Sequence, residues 1–73
     1  MEKVSIKSEY ITLGQFLKFV GIIDCGSYAK QFLCDNDVLI NNEVDKRRGR
    51  KLYPGDAVEV FNKRYEVVGI ENR

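Results

Sequence analysis

Apolar and polar positions change their spacing along the chain, and each change marks an element. Val4 and Ile6 alternate with Lys3, Ser5 and Lys7, a period of two that predicts a short strand over about 3–7. From Leu13 the period lengthens: Leu13, Phe16, Leu17 and Val20 form one apolar helix stripe, predicting a first helix over about 13–20. Thr12 and Gln15 have the spacing of a capping box, and Gly21 suits the left-handed position that ends a helix. A second, shorter helix lies within "IIDCGSYAKQFLCDND", with Ala29, Phe32 and Leu33 inward and Ser27, Lys30, Gln31 and Cys34 on another face. Asp24 or Ser27 can cap it, and Asn36 is a plausible stop. Only a few residues join the two helices, so a helical hairpin is expected.

The remainder reads as strands and turns. "DVLINNEV" is a strand entering a hairpin at Asn41-Asn42, because Asn tolerates positive φ. In "YPGD", Pro54 pre-sets φ at the second position and Gly55 supplies positive φ at the third, as a type II turn requires. "AVEVF" and "RYEVVGI" are two further strands around Asn62-Lys63, and Gly69 is a candidate bulge. The predicted fold class is α+β: a two-helix hairpin packed on one side of a small, mainly antiparallel sheet, in a single domain over 1–73. Phe16, Leu17, Phe32, Leu33, Val38, Ile40, Leu52, Val58 and Val60 are the expected core.

With 73 residues, nearly every apolar side chain is needed for that core. The start of the chain lacks the apolar stretch of a secretion signal, and no run approaches a membrane span, so a cytoplasmic protein without a membrane partner is expected. Cys25 and Cys34 are then expected as reduced thiols, at least partly buried.

The net charge of +1 conceals its distribution. Residues 1–45 carry a balance of −3 and residues 52–73 one of −1, whereas residues 46–51 alone carry +5. Those five charges are Lys46, Arg47, Arg48, Arg50 and Lys51, placed just after the Asn-Asn turn and just before the Pro-Gly turn. A patch this local suggests a polyanionic partner, and Gly49 lets the backbone bend so that the side chains converge. The loop is expected to be solvated and to carry little of the core.

Other chemistries find little support. The chain has no His, so the commonest general base at neutral pH is missing, and neither cysteine has a His partner. Two Cys are too few for a zinc site, and "DNDVLINNE" lacks the glycine of a calcium loop. No phosphate-binding glycine loop is present. No catalytic residue, metal, cofactor or small-molecule substrate is expected.

The elements "LGQFLK", "SYAKQFL", "VLINNE" and "YPGD" follow one another in an order that resembles the RNA-binding domain named after bacterial ribosomal protein S-four. The resemblance covers Thr12 to Val60, and "INNEVDKRRGRKLYPGD" looks most like the short, free-standing members often called YaaA. It implies binding of structured RNA, with ribosomal RNA as a candidate, through the helical hairpin and the adjoining loop. By position, Lys30 matches the basic residue of the second helix, and Lys46, Arg47, Arg48, Arg50 and Lys51 match the basic segment ahead of the Pro-Gly-Asp turn. Where many members carry Arg, at the start of the first helix and before the Ser of the second, this chain has Thr12 and Gly26. The expected weight of binding therefore shifts to the loop.

Arg47, Arg48 and Arg50 are suited to forked phosphate contacts or to stacking on an exposed base, and Lys46 and Lys51 to point-charge contacts. Lys18, Tyr28 and Gln31 are secondary candidates; Tyr28 suits packing at the edge of the helix pair better than stacking on a base, and Tyr53 suits anchoring the turn better than touching RNA. The competing reading is a protein-interaction module that docks an acidic partner through the same loop. No particular protein partner is specified by either reading.

Overall fold

Five strands form the main sheet of the computed structural model, which describes residues 1–69; Ile70, the last residue of the predicted final strand, lies outside them. β1 (Glu2–Ile6), β6 (Ala57–Val60), β7 (Lys63–Gly69), β3 (Leu39–Ile40) and β4 (Glu43–Val44) are arranged in the order β1-β7-β6-β3-β4. All neighbouring pairs are antiparallel except β1 and β7, which run parallel with Val4 opposite Val67. Ile40, Val58 and Tyr65 face one another across three strands. All three are buried, so this register turns one face of the sheet inward.

Two short helices cover that face. α1 (Leu13–Phe19) starts with the predicted capping box: the Gln15 N–H donates to Thr12 Oγ1 (3.3 Å) and the Thr12 N–H to Gln15 Oε1 (3.1 Å). It ends at Gly21 (φ 82°), whose N–H reaches the Lys18 carbonyl while the Ile22 N–H reaches that of Leu17. This is the paired closure of a Schellman end. A 3₁₀ turn (Gly26–Tyr28) leads into α2 (Ala29–Asp35). Neither Asp24 nor Ser27 caps it; Cys25 holds the N-cap position of the turn with no side-chain bond to the helix. Ser27 sits inside the turn, with its hydroxyl 3.1 Å from Cys25 Sγ. Seven-residue helices are too short to persist alone, so packing sustains them. Leu13, Phe16, Leu17, Ala29 and Leu33 join Val4, Ile6, Val38, Ile40, Leu52, Val58, Val60, Tyr65 and Val67 in one cluster. Phe16 meets Tyr65 edge-on at 5.5 Å.

Two of the three predicted turns form where expected. Asn41 (φ 52°) and Asn42 (φ 72°) close β3 onto β4, and Gly55 (φ 102°) closes "YPGD". The two turns are also tied together. Asn41 donates to Asp56 Oδ1 (3.1 Å) and accepts from the Ala57 N–H (3.0 Å), while Asp56 Oδ2 accepts from the Tyr53 N–H (2.8 Å).

Four expectations need correction. The last hairpin turns at Phe61-Asn62, one residue early, with both at positive φ; the exposed Phe61 ring packs edge-on against Phe32 at 5.5 Å, a tertiary contact that holds a bulky residue there. Phe32 is accordingly only partly buried. Gly69 makes no bulge but pairs in register with Ile6, and a Cβ there would come within 3.3 Å of Pro54 Cγ. Both cysteines are free and exposed rather than partly buried, because α2 turns Cys34 outward and Cys25 lies in the connection between the helices.

A second, two-stranded sheet positions the basic loop. β2 (Ile11–Thr12) pairs antiparallel with β5 (Lys51–Leu52), which brings the end of the loop against the start of α1.

Candidate nucleic-acid interface

The basic loop begins at Asp45, the one buried charged residue among those described. Its N–H donates to the Val38 carbonyl (3.0 Å), which turns the carboxylate inward. Four donors converge on that carboxylate. They are the Arg47 backbone N–H (2.9 Å), Arg47 Nε (3.1 Å), Arg47 Nη2 (2.7 Å) and Arg50 Nη1 (2.8 Å). A buried carboxylate is tolerated only when paired and hydrogen-bonded in this way. The Arg47 hydrogen bonds hold the Asp45 carboxyl well below the usual carboxylate range, against the opposing effect of burial. The same pair pushes the Arg47 guanidinium upward. Arg50 is mostly buried by this arrangement, whereas the Arg47 side chain remains 73% exposed.

The backbone of the loop is pinned to α1. The Leu13 N–H donates to the Arg50 carbonyl (2.8 Å) and the Gly14 N–H to the Arg48 carbonyl (2.9 Å). The first N–H groups of a helix have no partner within it, so the loop and the Thr12 cap share their satisfaction. The approach is close. A Cβ on Gly14 would lie 3.3 Å from Ala29 Cβ and 3.4 Å from the Arg48 carbonyl oxygen. Gly14 therefore lets α1, α2 and the loop meet at one point. The loop is exposed over most of its length, and these backbone bonds give its charges a fixed frame.

That frame divides the candidate residues. Lys46 points toward α2, where Nζ donates to the Leu33 carbonyl (2.9 Å) and lies 3.3 Å from Asp37. A cation there complements the last carbonyls of the helix. Arg48 and Lys18 line one cleft, together with Thr12, Gly14, Gln15, Gly26 and Ala29. Arg47, Arg50 and Lys51 line a second cleft with Tyr53, and Gly49 borders both. Lys51 Nζ sits 4.9 Å over the Tyr10 ring, and Tyr10 meets Tyr53 at 5.7 Å. Lys30 and Gln31 are exposed on α2 but line neither cleft, and Gln31 donates to Asp35 (3.0 Å). Tyr28 is 60% exposed and does not close the edge of the helix pair.

Residues 4–68 match the protein family described as S4 domain. The chain belongs to the S4 domain family. Over 57 residues, 78% of this chain and 80% of the relative, this S4 domain is 58% identical to a Bacillus subtilis (strain 168) protein named "Probable ribosome maturation protein RlbA". Among the described residues of this S4 domain, no helix is long and apolar enough to cross a membrane.

Two features of the site escaped sequence reasoning. Asp45 looked like one more charge beside a basic run; its position directly ahead of that run was the available signal. Gly14 carried no signal, because the need for a missing Cβ arises only where three distant segments meet.

Proposed function

We propose that this protein is a non-enzymatic RNA-binding module that recognises structured RNA, ribosomal RNA included, through phosphate contacts from the basic loop. The observation that carries this reading is the pinned loop. Asp45, the start of α1 and the β2–β5 pairing fix the backbone that carries Arg47, Arg48 and Lys51, so little backbone entropy is lost when phosphates engage them. The S4 domain family and the ribosome-maturation name of the Bacillus subtilis relative support the same reading. Arg47 and Arg48 supply forked donors, Lys51 a point charge, and Lys18 extends the patch across the Arg48 cleft. Lys46, turned to the end of α2, and Arg50, mostly buried on Asp45, contribute less than Arg47, which keeps 73% of its side chain exposed while bonded to the same carboxylate. Lys30, Tyr28 and Gln31 on the α2 side offer secondary contacts to an RNA that wraps beyond the loop.

The test is binding to a structured ribosomal RNA fragment and to duplex DNA of matched length at several salt concentrations. Engagement of Arg47, Arg48 and Lys51 predicts a slope of log K against log salt of about −2 to −3 for RNA, with tighter binding than to DNA. Weak and equal binding to both nucleic acids would defeat the proposal and turn attention to an acidic protein partner.

A further inference from the structure

Tyr53 is placed for more than a turn. Its backbone alone makes the "YPGD" closure, with the N–H on Asp56 and the carbonyl accepting the Asp56 N–H at 2.9 Å. Tyr53 is left 43% exposed and lines the second cleft, an open depression it shares with Arg47, Gly49, Arg50 and Lys51. Tyr10, the other ring nearby, packs against Tyr53 at 5.7 Å and carries Lys51 over its own ring, so the side of Tyr53 away from Tyr10 is the one available. In the same cleft, Asp45 grips Arg47 through Nε and Nη2 and leaves the rest of an exposed guanidinium free. An aromatic wall beside fixed cationic donors is the combination that a nucleotide requires: a π-face for the base and charge-assisted donors for the phosphate.

We infer that the cleft receives a single unpaired nucleotide, its base stacked on Tyr53 and its phosphate held by Arg47 and Lys51. This rests on the RNA-binding reading and adds to it the feature recognised: a bulged, looped or frayed base. A base inside a continuous duplex has both faces covered and cannot reach the tyrosine.

Three RNA stems of equal length test it, one with a bulged 2-aminopurine, one with an abasic bulge and one continuous. The parent protein should bind the first most tightly and change its fluorescence on binding. Tyr53→Leu should weaken binding to that stem by about 5- to 100-fold and leave the abasic stem unaffected, while Tyr53→Phe should behave as the parent. Equal binding of the bulged and abasic stems by the parent protein would overturn the inference without any variant. If all three stems bind alike and Arg48→Ala weakens all of them, only the stacking site falls. If none binds, the RNA-binding reading falls and the stacking site with it.

Discussion

Replacing Asp45 with Asn would remove the charge that gathers Arg47 and Arg50 while leaving a polar group of the same size in place. Charged hydrogen bonds would become weaker neutral ones, and the expected loss of stability is about 1–3 kcal/mol. Its pH dependence has a definite sign. The folded-state pKa is depressed, so the stabilisation is complete above the unfolded value of about 3.9 and is lost as pH falls below it. Urea unfolding of the parent and Asp45→Asn should show a gap at neutral pH that narrows progressively below about pH 4. Arg48 gives the opposite kind of variant. Among the described residues its guanidinium makes no hydrogen bond or ion pair, and the loop is held through its carbonyl. Arg48→Ala should therefore unfold like the parent yet reduce the magnitude of the RNA salt slope by about 0.7–0.9. Mutating Arg47 and Arg50 along with it would confuse the two effects, because both serve the buried carboxylate. The basic run was legible as a cluster, but its division into structural and free cations was not: that depends on which side chains Asp45 and Leu33 can reach.

The elements that could be read in advance are those closed by their own neighbours. The Thr12–Gln15 box, the Gly21 stop and the Asn41-Asn42 and Pro54-Gly55 turns each use bonds or φ angles spanning a few residues. The start of α2 and the Phe61-Asn62 turn were misplaced because contacts from elsewhere decide them: Ala29 packs at Gly14, and Phe61 packs on Phe32. The junction of α1, α2 and the loop provides an element-level test. Gly14 is the second residue of α1, so Gly14→Ala would gain less than the roughly 1 kcal/mol of a helix interior and would meet Ala29 at 3.3 Å; the two oppose each other, and Gly14→Val is the informative change. Its extra carbons must push α2 or the Arg48 carbonyl away, lowering stability by about 1–3 kcal/mol. Thermal unfolding should show this loss, and RNA binding should weaken with it as Arg48 is displaced.

Across the molecule, β1 lies farthest in sequence from the strand it pairs with and brings Val4 and Ile6 into the core. Each of those side chains is worth roughly 1.5–3 kcal/mol when fully buried. A core in a chain this small rarely supplies more than about 3–5 kcal/mol in total. Removing residues 1–6 should therefore abolish cooperative unfolding outright, and would bare the edge of β7. Circular dichroism of the truncated chain checks this; a folded truncation with a sharp transition would show that the β6–β7 hairpin and the helices suffice.

Hydrophobic period, caps and turn residues by themselves determined the α+β class, the helical hairpin, the strands of the main sheet and the charged loop between two turns, but not the β2–β5 pair. These signals are local, and physical chemistry over three or four residues is enough to produce them. Tertiary structure alone decided that β1 runs parallel to β7, that Gly14 is the meeting point of three segments, and that Asp45 orders the cations around it. Each of these depends on groups far apart in the chain, or on a burial that exists only once the core has formed. A charge, a glycine or a tyrosine takes its role from the neighbours that the fold brings to it.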